Sequence, residues 1–321
     1  MSEPVVGRFA PSPSGRMHLG NVFAALLAWL SVRARGGRML LRIEDLDPDR
    51  CKPEYATTLM DDLCWLGLDW DAGPRPGDAP SDKWFQSRRT PFYQQQLDKL
   101  AALGLVYPCF CTRAQLHAAS APHQSDGAPR YDGRCRALTP EQAATQSRTR
   151  APALRARVPD ETLCFTDGLQ GPRCENLERE AGDFILRRSD GVFAYQLAAP
   201  ADDSAMGVTE VVRGQDLLAS TARQIWLLRT LGYPPPHYVH TPLLLAPDGR
   251  RLAKRERDLD LGALRAKLPS PQPLIGALAH LAGLQSAPRP VTAQALVPVF
   301  SWQRIVKSNM VLPNNFLGNY L

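Results

Sequence analysis

The sequence lacks the features of membrane and secreted proteins. It contains no run of about 20 consecutive apolar residues, the length that a helix needs to span a bilayer. Its amino terminus lacks the charged start and apolar core of a secretory signal. Its seven cysteines are odd in number and irregularly spaced, which argues against the disulfide framework of a small secreted protein. We therefore expect a cytoplasmic protein with reduced cysteines and no membrane partner.

What the sequence does contain is the composition of an ordinary globular protein. Of its 321 residues, 44% are hydrophobic and 22% are charged, and the length suffices for a large core in more than one structural unit. The net charge of +6 is compatible with nucleic-acid binding, but many basic proteins bind none. Composition therefore leaves the function open, and the local motifs have to identify the chemistry.

The amino-terminal segment has the pattern of a βαβ unit. A short, partly β-branched run at 5–10 predicts a strand, and apolar residues spaced three and four apart from 22 to 30 predict a helix. Two glycines end that helix, and residues 38–43 predict a second strand. Such a unit implies a parallel sheet with a right-handed crossover. The loop after the first strand would then lead into a helix amino terminus, where open α/β sheets bind phosphates.

The rest of the chain predicts an α/β fold with an insertion. We assign residues 1–106 to the first half of the sheet domain, 107–180 to the insertion, 181–245 to the second half, and 246–321 to a basic loop and a short helical carboxyl-terminal region. The insertion is polar, holds five of the seven cysteines and has few periodic runs, so we expect irregular structure there. The other predicted elements are strands at 183–187, 208–212 and 238–245 and helices at 55–66, 91–103 and 217–231.

The loop at 11–21 is suited to phosphate binding. Gly15 allows the backbone to turn without a Cβ clash, and Gly20 allows the helix start to approach a ligand closely. His18 can donate a hydrogen bond to a phosphate oxygen and becomes a stronger donor when it is protonated. Considered by itself, the same stretch could be a polar turn with a surface histidine.

The whole stretch resembles the amino-terminal motifs of class I aminoacyl-tRNA synthetases. The residues 18–21 resemble their "HIGH" signature, and residues 8–15 resemble the glutamyl and glutaminyl branch in particular. The resemblance, which extends over about residues 5–260, implies a Rossmann-like parallel-sheet catalytic domain. It implies that ATP is bound by His18, Gly20 and Asn21, with His18 also catalytic, and that the amino acid is bound by Arg8, Ala10 and Ser12.

Two further motifs would complete an amino-acid pocket. Residues 41–48 end a predicted strand in a cluster of carboxylates, which can form an ammonium site or a solvated acidic turn. The stretch resembles the "RIEDxD" motif of this branch, which implies that Glu44 holds the amino group of the substrate. The resemblance also assigns Tyr195 and Arg213 to the pocket. Arg213 could equally be a surface residue, but an arginine can clamp a carboxylate with two hydrogen bonds, which favours glutamate over glutamine.

A basic loop at 248–255 lies where the family has its "KMSKS" motif. Lys254 matches the lysine that binds ATP and stabilises the transition state, whereas Arg251 and Ala253 replace the first lysine and the central serine. A basic surface turn is the alternative. As a phosphate-facing loop, the segment would stabilise the charge that develops when pyrophosphate leaves.

The insertion carries a candidate zinc site. A structural zinc needs four ligands, and three cysteines lie near one another with two histidines, His117 and His123, between them. Inert thiols are the alternative. The spacing resembles a Cys-x-Cys…Tyr-x₃-Cys site of some members of this branch, which implies one structural zinc ion. The four implied ligands are Cys109, Cys111, Tyr131 and Cys135, whereas Cys51, Cys64, Cys164 and Cys174 are expected in packing or surface positions.

The stretch after Lys254 is too short for the anticodon-binding domain of a full glutamyl- or glutaminyl-tRNA synthetase. The chain therefore resembles the truncated glutamyl-queuosine tRNA(Asp) synthetase family, whose members activate glutamate with ATP and transfer it to queuosine in the anticodon loop of tRNA(Asp). We expect a monomer that binds L-glutamate, ATP with magnesium, and tRNA(Asp) carrying queuosine.

The sequence leaves three alternatives to this function. The chain could be a compact glutamyl-tRNA synthetase that acts on an acceptor end, or a synthetase relative that binds tRNA or an amino acid without activating it. A cytidylyl- or pantothenate-type ligase has a similar phosphate loop, but this class would not explain Tyr195, Arg213 or the cysteines of the insertion.

Overall fold

The computed structural model describes residues 4–112, 115, 131–250, 252, 260–313 and 316–317 of the 321-residue chain. Lys254, His117 and His123 lie outside these described residues, and so do the two positions at which the basic loop departs from the family motif. Within the described ranges, no helix combines the length and the apolar character that a membrane span requires.

Strands and helices alternate through both halves of the sheet domain. The strands are β1 (Val6–Phe9), β2 (Arg38–Leu41), β3 (Val106–Cys109), β4 (Ala153–Ala156), β5 (Thr162–Asp167), β6 (Gly171–Asn176), β7 (Ile185–Arg187), β8 (Glu210–Gly214), β9 (His237–Thr241), β10 (Leu244–Leu245) and β11 (Met310–Val311). The helices are α1 (Leu19–Arg33), α2 (Pro53–Leu66), α3 (Thr90–Ala102), α4 (Pro140–Ser147), α5 (Tyr195–Ala205), α6 (Thr221–Thr230), α7 (Leu261–Lys267), α8 (Gln272–Ala282) and α9 (Ala293–Leu296).

A four-stranded parallel sheet with the order β2-β1-β8-β9 organises the fold. The helix α1 connects β1 to β2, as the βαβ pattern predicts, and it is buried along most of its length because its residues are mostly apolar. The parallel sheet of the predicted α/β class is therefore confirmed. Because β1 and β8 are neighbours, the loop that follows Phe9 lies next to the end of β8 at Arg213 and Gly214.

The apolar core lies on both faces of this sheet. Val211 and Val212 are successive residues of β8, and their side chains join different clusters because side chains alternate between the faces of a strand. One cluster packs α1 and α2 against α8, and the other packs α3, α5 and α6. Both layers hold the strand ends in fixed positions, which is the requirement for a site built on those ends.

The insertion is more regular than its sequence predicts. Residues expected to be irregular form β4, which pairs with β3 and with the predicted strand β7 in an antiparallel sheet, and a separate β5-β6 hairpin. The expectation failed because these strands are short and β6 has no buried residue, so no apolar alternation marks them. Cys164 and Cys174 lie opposite each other in the hairpin and form a disulfide, which contradicts the expectation that the cysteines are all reduced.

Two predicted elements near the site are interrupted. The helix expected at 217–231 begins as a 3₁₀ segment, Gln215–Ser220, and becomes α-helical only at Thr221. In that segment the Leu217 carbonyl accepts a hydrogen bond from Arg213. The strand expected at 238–245 is divided into β9 and β10, with Pro242 between them, because proline has no N–H to continue the ladder.

Candidate active site

A cleft of about 550 Å³ lies at the carboxyl ends of the central strands. Its lining comes from the ends of β1, β8 and β9, from the loop before α1 and from the first residue of α5. This is the edge at which open α/β sheets bind ligands. The cleft brings together every predicted ATP-binding and amino-acid-binding residue within the described part of the chain: Arg8, Ala10, Ser12, His18, Gly20, Asn21, Glu44, Tyr195 and Arg213.

His18 is held at the start of α1 by a local capping arrangement. Its Nδ1 accepts a hydrogen bond from the backbone N–H of Gly20 at 3.1 Å, and Asn21 Oδ1 accepts one from the backbone N–H of His18 at 3.4 Å. Because Nδ1 is the acceptor, the neutral ring carries its proton on Nε2. A Cβ at position 20 would lie 3.0 Å from His18 Cε1, so glycine leaves the ring undisturbed. The ring and the helix start thus form one site suited to an anion.

Glu44 belongs to a buried ionic network beside the cleft. Arg42 is fully buried and donates hydrogen bonds to Asp203 Oδ1 at 2.7 Å and to Glu44 Oε1 at 3.0 Å. Arg8 donates from Nε to the same oxygen of Asp203 at 3.2 Å. Burial raises the pKa of Glu44, and the guanidinium of Arg42 opposes that rise. The network fixes the positions of Arg8 and Glu44, two oppositely charged groups of the cleft lining.

Arg213 is buried at the end of β8 and is surrounded by neutral acceptors. Its guanidinium donates hydrogen bonds to Tyr195 Oη, the Leu217 carbonyl, Thr221 Oγ1, Gln224 Oε1 and His240 Nε2. No residue that the structure describes forms an ion pair with Arg213, whereas Arg8 and Arg42 both pair with Asp203. Its five N–H groups thus have neutral acceptors, and its positive charge, which no described carboxylate neutralises, attracts an anionic ligand to the cleft.

The residues that hold these arginines are not among those predicted from the sequence. Asp203 lies at the end of α5, and the arginines that it binds come from β1 and from the segment after β2. His240 lies on β9 and connects Arg213 to Asp167 of the insertion. The available signal is a titratable residue inside a predicted strand, as with His240 after Val239. That signal marks a buried polar group but does not identify its partner.

The predicted metal ligands of the insertion converge. The Sγ atoms of Cys109, Cys111 and Cys135 lie within 4.8 Å of one another, and Tyr131 Oη lies 3.4 Å from Cys109 Sγ and 3.6 Å from Cys111 Sγ. Neighbouring ligand atoms of a tetrahedral zinc site are about 3.5–3.8 Å apart, which is close to the distances from Tyr131 Oη and to the 3.6 Å between Cys111 Sγ and Cys135 Sγ. Burial alone would raise the pKa of Cys109, but its hydrogen-bond contacts with Tyr131, the backbone of Cys111 and Arg155 lower it overall. The cluster has the geometry and the ligand atoms to hold a metal ion.

The basic loop borders the cleft at Leu252, which is part of the lining. Next to it, Arg250 forms a salt bridge with Asp248, 2.6 Å apart, on the protein surface. Lys254 itself lies outside the described residues, so its assignment to ATP binding and catalysis stays a prediction from the sequence.

Two relatives are similar in sequence to most of this chain. It is 50% identical over 311 residues to the glutamyl-Q tRNA(Asp) synthetase of Symbiobacterium thermophilum, and this match covers 96% of this chain and 95% of the relative. It is 55% identical over 282 residues to the glutamyl-Q tRNA(Asp) synthetase of Nitratidesulfovibrio vulgaris, which covers 87% of this chain and 86% of that relative.

A solved structure and a family model agree with these relatives. The crystal structure of a glutamate tRNA ligase from Elizabethkingia meningosepticum in complex with its amino acid has a TM-score of 0.81 and 26% identity, and the match covers 98% of this chain and 68% of that one. Residues 4–314 match the catalytic-domain model of the class I tRNA synthetases (E and Q). The chain therefore belongs to the class I tRNA synthetase family of the glutamyl and glutaminyl branch, as its amino-terminal motifs predict.

Proposed function

We propose that this protein activates L-glutamate with ATP and transfers it to the queuosine base in the anticodon loop of tRNA(Asp). The observation that carries the proposal is a single cleft lined by three groups. These are the helix-capping His18, the carboxylate of Glu44 and Arg213 with its neutral partners. The name glutamyl-Q tRNA(Asp) synthetase, shared by relatives that match nearly the whole chain, supports the same acceptor.

The amino-acid pocket would bind glutamate through complementary charges. Arg213 and the hydroxyl of Tyr195 bind the side-chain carboxylate, and Glu44 accepts hydrogen bonds from the ammonium group. Glutamine carries no charge on its side chain, so it would leave Arg213 without a counter-ion in a buried site, and this penalty selects against it. In this proposal Arg8, Ala10 and Ser12, which also line the cleft, complete the amino-acid pocket.

The first chemical step forms glutamyl-adenylate. An oxygen of the glutamate α-carboxylate bonds to the α-phosphorus of ATP, and the bond to the bridging oxygen breaks, so pyrophosphate leaves with the electron pair. His18, through its Nε2–H, and the positive end of the α1 dipole at Gly20 and Asn21 stabilise the phosphate charge, with Lys254 acting from the basic loop and magnesium accompanying ATP.

The second step transfers the glutamyl group. A hydroxyl of the modified base attacks the activated carbonyl carbon, and AMP leaves with the electrons of the mixed-anhydride bond while the hydroxyl proton is released. Holding the hydroxyl against the carbonyl supplies much of the rate in such a reaction. The structure therefore has to position two substrates in the cleft rather than provide a nucleophile of its own.

Transfer of labelled glutamate tests the proposal. We expect ATP-dependent label on tRNA from cells that make queuosine, located on tRNA(Asp), and no label on tRNA from queuosine-deficient cells, because only the modified base offers the acceptor hydroxyl. Glutamate-dependent exchange of pyrophosphate into ATP should occur without tRNA. Label at the acceptor end of tRNA(Glu) would instead identify a compact glutamyl-tRNA synthetase, and the absence of both transfer and exchange would favour a binding-only protein.

We further propose that Cys109, Cys111, Tyr131 and Cys135 hold one structural zinc ion. The convergence of these four ligand atoms supports this assignment. When bound, the ion would cross-link the end of β3 to the segment that begins at Tyr131.

Metal analysis tests the zinc assignment. We expect about one zinc per chain in purified protein and a substoichiometric zinc content in Cys135→Ser, with a lower melting temperature, because three remaining ligands cannot close the tetrahedral shell of a structural zinc ion. Cys64→Ser is the control, since Cys64 is an exposed thiol on α2 outside the cluster. Equal zinc contents in the two variants would contradict the assignment.

A further inference from the structure

A buried Asp–His pair lies directly behind Arg213. Asp167 ends β5 of the insertion and His240 lies on β9 of the central sheet, and neither side chain has exposed surface. The two groups are 2.6 Å apart, from Asp167 Oδ2 to His240 Nδ1. On the opposite side of the ring, His240 Nε2 lies 3.0 Å from Arg213 Nε. The three side chains thus form a continuous line from the insertion to the cleft.

The partners of Asp167 determine which ring nitrogen of His240 carries the proton. Its Oδ1 accepts hydrogen bonds from the backbone N–H groups of Leu169, Gln170 and His240, at 3.0, 2.8 and 3.2 Å. These donors keep the carboxylate ionised and fixed, and an ionised carboxylate can only accept. His240 must therefore donate from Nδ1–H, which leaves the lone pair of Nε2 for the Nε–H of Arg213.

A neutral imidazole is an acceptor that does not neutralise the arginine. Burial and the nearby Arg213 lower the pKa of His240 to about 4, so the ring is uncharged at neutral pH. A carboxylate in direct contact with Arg213 would compete with a carboxylate ligand for the guanidinium. Asp203 occupies such a competing position beside Arg8. The imidazole avoids this competition and still fixes the Nε end of the guanidinium. Tyr238 adds a neutral aromatic face 5.1 Å from the Arg213 guanidinium carbon.

We propose that Asp167 and His240 are positioning residues that hold Arg213 in the orientation needed to bind the side-chain carboxylate of the amino acid. The proposal rests on the proposed function, because it concerns the selectivity of the same pocket for glutamate over uncharged amino acids. It also assigns a role in the amino-acid site to the insertion, since Asp167 belongs to the β5-β6 hairpin.

Asp167→Asn is the most specific test. An asparagine amide can donate to Nδ1, which favours the tautomer with the proton on Nε2, and that N–H would then face the Nε–H of Arg213. We expect the KM for glutamate in pyrophosphate exchange to rise by about 10-fold to 100-fold. The KM for ATP and kcat should change by less than about threefold, because the phosphate site at the start of α1 is separate.

Two further variants separate positioning from general damage. His240→Gln keeps an acceptor oxygen near the former Nε2 and should recover most of the glutamate affinity when it is combined with Asp167→Asn. Asp160→Asn is the matched control, because Asp160 is an exposed carboxylate that binds Asn176 and Arg179 on the surface of the insertion. The proposal would be overturned if Asp167→Asn had the same KM for glutamate as the wild type. It would also be overturned if the KM values for glutamate and for ATP rose equally.

Nitrogen NMR of histidine-labelled protein gives a readout that does not depend on activity. We expect the wild-type His240 ring to be protonated on Nδ1 and unprotonated on Nε2, and Asp167→Asn to reverse this pattern. A wild-type ring protonated on Nε2 would overturn the positioning role even if the enzyme activates glutamate. Absence of glutamate-dependent exchange in the wild type would instead contradict the proposed function.

Discussion

Replacing Arg213 with glutamine is expected to lower kcat/KM for glutamate by about 10²-fold to 10³-fold in pyrophosphate exchange, mainly through a higher KM. The substitution removes the positive charge that would pair with the glutamate carboxylate, and losing one partner of a buried charge pair has an effect of this size. Activity with glutamine should fall far less, so the preference for glutamate over glutamine narrows. Parallel exchange assays with the two amino acids measure both effects.

Two controls identify the cause of that loss. Arg213→Lys keeps a charge but has no planar fork to hold Tyr195, Gln224 and His240 together, so we expect only partial recovery. Arg229→Gln changes an exposed arginine on α6 and should behave as the wild type. If Arg213→Gln lost glutamate and glutamine activity to the same extent, Arg213 would be a structural residue and the carboxylate role would be wrong.

The amino-terminal half of the site could be predicted from the sequence because its chemistry is local. Residues 8–21 lie in one continuous strand, loop and helix start, so their order in the chain almost determines their order in space. His18, Gly20 and Asn21 satisfy one another within a single turn. Such an arrangement depends little on the rest of the fold, and a local motif can describe it.

The supporting residues could not be predicted because their partners are distant in the chain. Asp203 and Arg8 are 195 residues apart in sequence, and Asp167 and His240 are 73 apart. Only the order of the strands brings these groups together, and residue type alone does not select one partner among the many charged residues. The Cys164–Cys174 disulfide was missed for a related reason, since its pairing depends on a hairpin with weak apolar alternation.

Substitution of Asp203 should strongly destabilise the fold. Its Oδ1 accepts from both Arg8 and Arg42, and Arg42 is fully buried. Asp203→Asn would leave these two buried guanidinium groups with one fewer negative charge beside them. Breaking a buried ion pair in this way typically costs about 3–5 kcal/mol of unfolding free energy. Urea denaturation followed by circular dichroism measures the loss directly.

A double substitution shows whether the uncompensated charge causes the loss. Arg42→Met removes one of the two buried guanidinium groups, so Arg42→Met combined with Asp203→Asn should be more stable than Asp203→Asn alone, by about 1–3 kcal/mol. Asp160→Asn, at the surface, should change the unfolding free energy by less than about 0.5 kcal/mol.

The double variant Arg42→Met with Asp203→Asn should still bind glutamate poorly, because Glu44 loses the arginine that fixes its carboxylate beside the cleft. Recovery of stability without recovery of the glutamate KM would show that the network stabilises the fold and fixes Glu44 as two separate roles. A double variant no more stable than Asp203→Asn would instead show that packing, not charge, makes Asp203 necessary.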